Sequence, residues 1–294
     1  WAIESRLYAE DPYRNFLPSI GRLTRYRPPE EVQAGPLNDS GKWQGEAPKG
    51  ETAVRNDTGV FEGGEISMYY DPMIAKLCTW GRDRAEALEG MRVALDSFEV
   101  EGIGHNLPFL SAVMDHPRFV SGEITTAFIA EEYPEGFAGA ELSEADLRRV
   151  AACAAAMYRV AEIRRSRISG RLGNHERTVG TDWVVAIGKT RFETRIHADK
   201  GGATVEIDGT THRVASAWTP GTPLAVLEID GAPLALKVSK ITGGYRVRTR
   251  GADLKVHVWT PKQAELAAHM PEKIAADTSK MLLCPMPGLI VTVN

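Results

Sequence analysis

The stretch that decides the fold is SEADLRRVAACAAAMYRVAEIRRS, residues 143–166, which is followed over 181–260 by short runs of alternating apolar and polar residues. Ser143 with Asp146 three positions later is the pattern of a helix N-terminus, because the hydroxyl can accept a backbone N–H of the first turn. Apolar or small residues then recur at helical spacing, at Leu147, Val150, Ala151, Ala154, Met157, Tyr158 and Ala161. We therefore predict one long helix whose small residues let other backbone approach closely.

The region 181–260 has the pattern of a β-meander. Its apolar residues recur with period two, and turn signals containing glycine separate the runs at 200–202, 208–209, 230–231, 243–244 and 250–251. About eight short strands fit this spacing. A meander of this length must close or expose its edges, so the sequence favours a small antiparallel barrel. The long helix just before it is predicted to fill or plug that barrel.

The chain before the long helix mixes helix and strand signals, which gives an α+β class. Helices are predicted from Asp83, which has Glu86 at the capping spacing, and over about 106–115 and 125–132. The last residues, 281–294, have the pattern of the first strand of a further all-β domain. We predict three units, at 1–138, 139–270 and 271–294.

The composition excludes several classes of protein. Hydrophobic residues make up 43%, charged residues 25%, and the net charge is −4. The slightly acidic balance argues against a nucleic-acid partner, and no apolar run approaches the roughly 18 residues of a membrane span. Three widely spaced cysteines indicate a reducing compartment, and none has zinc-ligand spacing. The chain begins at Trp1 and ends within a strand pattern, so we expect both flanking domains to be cut.

Three segments carry a family resemblance. AIESRLYAEDP at 2–12 with FLPSIG at 16–21, and ISMYYDPMIAKL at 66–77, resemble the C-terminal part of a biotin carboxylase domain. Residues 279–293, which contain PMPG, look like the entry strand of a biotin carrier domain. In this order the segments resemble the α subunits of the biotin-dependent acyl-CoA carboxylases. The segments at 119–126 and 133–137 are most similar to the branch that acts on propionyl-CoA.

The resemblance implies an ATP-grasp biotin carboxylase domain of which only the C-terminal subdomain is present, a mediating β-barrel around a helix, and the start of a carrier domain. In this family the mediating domain contacts the carboxyltransferase β subunit, which implies a hetero-oligomer such as α6β6, and the carrier domain is a partner within the subunit. The implied reaction converts propionyl-CoA and bicarbonate to methylmalonyl-CoA with ATP, biotin and Mg²⁺, in the bacterial cytoplasm or the mitochondrial matrix. It also implies that the ATP-grasp core and the biotinylated lysine lie outside this chain, so that the fragment alone is inactive.

The same resemblance implies roles for individual residues. Arg55 stands where the family has an arginine against the ureido oxygen of biotin, ahead of a predicted strand at Tyr69-Tyr70-Asp71. A planar, permanently charged guanidinium suits an oxygen that gains negative charge. Thr126 stands where a family residue touches the base of the nucleotide. The polar segment between the long helix and the first barrel strand is implied to dock on the β subunit, through Arg171, Asn174, His175, Glu176 and Arg177.

Other functions stay open on sequence grounds. A methylcrotonyl- or geranyl-CoA carboxylase α subunit would have the same architecture, because the family selects its acyl-CoA substrate in the β subunit. A non-catalytic barrel that binds a small apolar ligand, or a pure interaction module, would show the same strand pattern. A helix filling the lumen would contradict the ligand-binding barrel.

Overall fold

The structure is a computed structural model that describes residues 1–32, 52–67, 69–170, 177–199 and 201–271. These residues build two hydrophobic cores, one in an N-terminal unit (Ala2–Glu132) and one in a barrel unit (Glu144–Ala267). The predicted carrier strand at 281–294 lies outside the described residues, as do Arg171, Asn174, His175 and Glu176 of the docking segment.

The N-terminal unit is built on a three-stranded antiparallel sheet in the order β1-β8-β6. Three two-stranded pairs, β2-β3, β4-β7 and β5-β9, extend it. Side chains of the central sheet alternate between a buried and a solvent-facing side, because successive residues of a strand point to opposite faces. The strands are β1 (Ala2–Tyr8), β2 (Glu10–Asp11), β3 (Leu17–Pro18), β4 (Gly21–Arg22), β5 (Arg25–Arg27), β6 (Ala53–Thr58), β7 (Glu65–Ile66), β8 (Met73–Trp80) and β9 (Glu99–Glu101).

The described part of this unit also contains four helices: α1 (Arg84–Ser97), α2 (Leu107–Asp115), α3 (Pro117–Ser121) and α4 (Phe128–Glu132). Of these, α1 and α2 pack on the central sheet. The predicted cap of α1 is confirmed, since the Asp83 side chain accepts the backbone N–H of Glu86 at 2.9 Å. The predicted strand at Tyr69-Tyr70-Asp71 is wrong. Those residues form an exposed turn that is held by the Asp71 carboxylate, which accepts the Met73 backbone N–H at 3.0 Å, and the strand begins only at Met73.

The barrel unit begins with the long helix α5 (Glu144–Ser166) and continues into eight antiparallel strands that close on themselves. The strands are β10 (Asp182–Ile187), β11 (Thr190–Asp199), β12 (Gly202–Ile207), β13 (Thr210–Ser216), β14 (Leu224–Ile229), β15 (Ala232–Ile241), β16 (Gly244–Thr249) and β17 (Ala252–Trp259), and helix α6 (Pro261–Ala267) follows. Pairing of β10 with β17, at Val184 and Trp259 among others, closes the sheet. Closure removes the exposed edges that a meander would otherwise have, so the predicted barrel is confirmed.

Helix α5 lies inside the barrel. Its N-cap is the predicted Ser143, whose hydroxyl accepts the Asp146 N–H at 3.1 Å. The middle of the helix is buried on all sides, with Ala151–Ala155 each no more than 1% exposed, and packs against the inward-facing residues of the strands. The prediction that the helix fills the barrel is therefore confirmed. Side chains of the helix occupy the lumen. This contradicts the alternative of a barrel that binds a small apolar ligand in its cavity.

The two units meet at a buried charged interface. Helix α1 packs on β8 of the sheet and also on β15 of the barrel. At its C-terminal end the buried Asp96 carboxylate pairs with Arg250 Nε at 2.9 Å and accepts the Arg250 backbone N–H at 3.0 Å. Lys237 Nζ donates to the Leu95 carbonyl oxygen at 2.7 Å. The turn between β16 and β17 reaches α2, because a Cβ built on Gly251 would stand 2.7 Å from the Pro108 carbonyl oxygen.

His105 lies at this interface among positive charges, and we expect it to make the fold sensitive to acid. Burial, reinforced by Lys237 and Arg248, lowers the pKa of His105 to about 3. The unfolded chain binds a proton near pH 6.5 and the native protein does not, so stability falls as the pH drops from about 6.5 towards 3 and is constant above that window. Because His105 as a residue is only partly buried, we expect a loss of about 1–2 kcal/mol of unfolding free energy between pH 7 and pH 5.

Urea unfolding at several pH values measures this effect. In His105→Gln, the free energy of unfolding should change less between pH 7 and pH 5 than it does in the unmodified protein. His269→Gln, a matched change near the end of the described chain, should leave the slope as it is in the unmodified protein. An unchanged slope in His105→Gln would assign the acid sensitivity to other groups.

None of the helices in the described ranges combines the length and the apolar character that a membrane crossing requires.

Candidate functional site

The solvent-facing side of the central sheet brings six polar side chains together, which we call the charged sheet face: Glu4, Arg6, Arg55, Asp57, Lys76 and Cys78. The strand register places them in two rows. Cys78 of β8 stands between Glu4 of β1 and Arg55 of β6, and Lys76 stands between Arg6 and Asp57. The opposite side of the same strands is mostly apolar, with the buried Ser5 and Thr79 among its residues, and packs under α1. The face is therefore a rigid, polar surface held by a packed core.

Arg55 is the most exposed cation of this face for which an ion pair is resolved. Its side chain is 69% exposed, and Nη2 contacts the Asp57 carboxylate at 3.0 Å and the Cys78 sulfur at 4.0 Å. Asp57 raises the pKa of Arg55 above its already high usual value, so the guanidinium is positive at every physiological pH. These contacts use one of its three nitrogens. Since guanidinium has five N–H donors in a planar fork, the others can serve an acceptor that approaches from solvent.

Cys78 does not have the properties of a nucleophile. Burial raises the pKa of its thiol above the usual range, and the nearby Arg55 offsets this only in part. The other described cysteine, Cys153, lies in the barrel core, where burial raises its pKa to about 12. Both thiols are protonated at neutral pH, and reactivity requires the thiolate.

Thr126 is not on one of the strands that form the charged sheet face. It is exposed in the turn between α3 and α4, where the neighbouring Thr125 hydroxyl accepts the Ala127 N–H at 3.2 Å. Thr126 and Arg55 therefore belong to different elements of the N-terminal unit, a turn and a strand. Within the described ranges, no three His, Cys, Asp or Glu side chains converge as cation ligands. The described residues thus do not by themselves fit a Mg²⁺ site.

The end of the barrel at which α5 emerges is the second candidate site. Arg177 is the described member of the predicted docking residues, and its side chain is 53% exposed and pairs with Glu162 of α5. The rings of Tyr158, Trp183 and Tyr245 meet edge-on beside it, at centroid distances of 5.5 and 6.1 Å from Tyr158. Prediction from sequence missed Glu162. The sequence does contain a signal for it. Glu162 follows Tyr158 by four residues and so lies on the predicted apolar face of the helix, where a carboxylate must have a partner for its charge.

Comparison with known proteins matches both units. Residues 4–131 match the family model of the biotin carboxylase C-terminal domain, and residues 150–273 match that of the propionyl-coenzyme A carboxylase BT domain. The propionyl-CoA carboxylase alpha chain of Ruegeria pomeroyi is 74% identical over all of this chain and 43% of its own length. The mitochondrial propionyl-CoA carboxylase alpha chain of Mus musculus is 37% identical over all of this chain and 39% of its own. A methylcrotonoyl-CoA carboxylase subunit alpha from Dictyostelium discoideum is 38% identical over 44% of this chain.

The two matched domains place the chain among the biotin-dependent carboxylases. Within that class it belongs to the family of propionyl-CoA carboxylase alpha chains, and it spans about two fifths of the length of the relatives it matches. It contains part of the biotin carboxylase region followed by the BT domain.

Proposed function

We propose that this chain is the part of a propionyl-CoA carboxylase α subunit that supplies one arginine to biotin carboxylation and carries the surface that docks the carboxyltransferase β subunit. The substrate follows from the breadth of the similarity, because both propionyl-CoA relatives align over the whole chain and the methylcrotonoyl-CoA relative aligns over 44% of it.

The proposed units are 1–138, 139–270 and 271–294. The proposed assembly is an α6β6 hetero-oligomer in a bacterial cytoplasm or a mitochondrial matrix. The location is supported by one relative from a bacterium and one whose name calls it mitochondrial.

The observation that carries the catalytic part is the exposed guanidinium of Arg55 on the charged sheet face. When bound, biotin supplies the ureido nitrogen that takes up the carboxyl group. Arg55 can donate N–H bonds to an oxygen beside it as negative charge develops there, because its remaining nitrogens face solvent. Asp57 holds the guanidinium in place by an ion pair at 3.0 Å. The residues present therefore fit a biotin-contacting role.

ATP and Mg²⁺ belong to the proposed reaction as well, but the described residues supply no carboxylate cluster for the metal. We propose Thr126 as a contact to the base of the nucleotide, supported by its exposure in the turn before α4. The docking part rests on the BT-domain match, which includes the segment with Arg171, Asn174, His175, Glu176 and Arg177.

Arg55→Ala in the full-length α subunit tests the catalytic part. We expect bicarbonate-dependent ATP hydrolysis with free biotin to fall by about 10²–10³-fold, the usual loss for a single donor to a developing oxyanion. Arg55→Lys should recover only part of the rate, because an ammonium cannot reproduce the planar fork. Arg82→Ala removes an arginine of similar exposure that is also paired with a carboxylate, lies beyond the end of β8, and should leave the rate unchanged. Full turnover in Arg55→Ala would remove Arg55 from the site.

A further inference from the structure

A cavity of about 30 Å³ lies where the two units meet. It is bounded by the end of α1, by the chain that leads into α2, and by strands β15 to β17 of the barrel. A space of this size admits about one or two water molecules or a single ion of similar radius. The charged and titratable residues of its wall are Asp96, His105, Lys237, Arg248, Arg250 and Asp253.

Lys237 brings a cation to this cavity that has no ion-pair partner at close range. Its Nζ donates to the Leu95 carbonyl oxygen at 2.7 Å. Within the described ranges, no carboxylate oxygen comes within 4.0 Å of Lys237 Nζ. Burial lowers the pKa of Lys237 to about 8, so the ammonium is still mostly positive at pH 7. It has two N–H groups beyond the one that the Leu95 carbonyl uses.

Two further polar atoms of the wall, Arg248 Nε and His105 Nδ1, are buried and have no hydrogen-bond partner among the described residues. Other atoms of both side chains do have partners. Arg248 Nη2 lies 3.7 Å from a Glu101 carboxylate oxygen, and the other ring nitrogen of His105 bonds to the Val100 backbone. A buried polar atom without a partner costs free energy. These two atoms therefore indicate a ligand that the side chains of the wall do not supply.

The two acids of the wall are already committed to other groups. Asp96 pairs with Arg250 Nε at 2.9 Å and also accepts the Arg250 backbone N–H. Asp253 is held by Arg246, whose Nε lies 2.7 Å from it. The cations of the wall outnumber these acids, and their field contributes to the fall of the pKa of His105 to about 3. A water molecule would fill the hydrogen bonds, whereas an anion also balances the charge.

We propose that this cavity binds one small monovalent anion of about the size of chloride, which accepts hydrogen bonds from Lys237 Nζ, Arg248 Nε and His105 Nδ1. The lysine and the arginine donate to it in their ordinary charged forms. In the neutral ring of His105, the bond to Val100 takes the ring N–H and leaves Nδ1 as an acceptor, so the ring takes up a proton from solvent when the anion enters. Because the donors come from both units, the bound anion holds the units against each other.

Binding of chloride to the full-length α subunit tests the site with two readouts. The excess line width of the chloride NMR signal reports ions that exchange on and off the protein, and bromide should compete for the same site. Hydrogen exchange of peptides covering 93–107 and 235–253 reports the order of the interface. Exchange is compared in sodium chloride and in sodium gluconate at equal ionic strength, because gluconate is too large for the cavity. With chloride at about ten times its dissociation constant, exchange in these peptides should be about tenfold slower.

Two variants remove donors from the site. Lys237→Met and Arg248→Met should each abolish the bromide-sensitive line width and the effect of chloride on exchange. Arg248 is 27% exposed, so its replacement leaves the core intact and the test does not depend on Lys237→Met alone. Lys240→Met removes an exposed lysine of the same strand, outside the cavity, and should bind chloride as the unmodified subunit does. Equal exchange in chloride and gluconate, with the same line width in Arg248→Met as in the unmodified subunit, would overturn the site.

The part that His105 plays has its own test. In the unmodified subunit the dissociation constant for chloride should fall as the pH drops from 7 to 5, because a proton binds to His105 together with the anion. In His105→Gln the constant should be nearly the same at both pH values, since the amide N–H donates without taking up a proton. An unmodified subunit that binds chloride equally well at pH 7 and pH 5 would remove His105 from the site.

Discussion

Asp96→Ala is expected to destabilise this chain by about 3–5 kcal/mol, the usual loss when one member of a buried ion pair is removed. The Asp96 side chain is 4% exposed and faces Arg250 at 2.9 Å, with Lys237 nearby. Burial raises the pKa of Asp96, so its own ionisation is not the source of the stability. The loss arises because substitution removes the buried carboxylate that faces Arg250 and Lys237, whereas the partners that remain to Arg250, Glu89 at 3.3 Å and Asp115 at 3.8 Å, are more distant and more exposed.

We also expect Asp96→Ala to separate the unfolding of the two units. The interface is held by this pair, by the Lys237 bond to Leu95 and by the turn at Arg250 and Gly251. Arg250 adopts φ +48°, a conformation that costs free energy for a residue with a side chain and persists where contacts impose it. Calorimetry should show one transition in the unmodified chain and two in the variant.

Asp253→Ala is the matched control, because Asp253 pairs with Arg246 within the same hairpin and does not cross between the units. Asp253→Ala should lower the free energy of unfolding by less than about 1 kcal/mol, and the variant should still unfold in a single transition. Replacing Asp96, Arg250 and Lys237 together by apolar residues of similar size should recover much of the loss, since no unpaired charge remains. A single transition with little loss of stability in Asp96→Ala would show that the units are held by other contacts.

This interface links the two proposed functions in space. Arg55 lies on a sheet whose buried side packs on α1, and α1 packs on β15 of the barrel. The barrel in turn encloses α5, whose buried Glu162 pairs with Arg177. Packing therefore fixes the orientation of the charged sheet face relative to the end of the barrel at which α5 emerges.

The barrel and its helix can be predicted from the sequence because their signals are local. Alternation of period two and the Asp-Gly turns at 208–209 and 230–231 specify hairpins, and in the structure Asp208 and Asp230 adopt the left-handed conformation that such turns require. The interface cannot be predicted in this way. Asp96 and Arg250 are 154 positions apart, and the sequence around each residue gives no sign that its charged side chain is buried and not solvated.

The charged sheet face shows the same limit. The family resemblance pointed to Arg55, but its ion pair with Asp57 and its place beside Cys78 depend on the register of β6 against β8. The prediction of a strand at Tyr69-Tyr70-Asp71 is wrong although its two tyrosines are typical of strands, because the Asp71 side chain accepts the Met73 N–H and holds a turn, so that the strand begins only at Met73.

The middle of α5 supplies the last prediction, because it is buried on every side and not along a stripe alone. A helix enclosed by an eight-stranded barrel has room only for small side chains, and the sequence there is Ala151-Ala152-Cys153-Ala154-Ala155. Interiors are packed at crystal-like density, so an added isobutyl group must displace its neighbours.

Ala154→Leu is therefore expected to destabilise the barrel by about 3 kcal/mol or more, although leucine is a good helix former, because overpacking outweighs the small difference in helix propensity. Thermal unfolding of the chain followed by circular dichroism should show a midpoint lower by about 10 °C. Val160→Leu places the same residue on the same helix at a position that is 45% exposed, and it should shift stability by less than about 0.5 kcal/mol. An unchanged midpoint in Ala154→Leu would mean that the lumen holds space the packing does not show, and it would restore the barrel as a candidate ligand cavity.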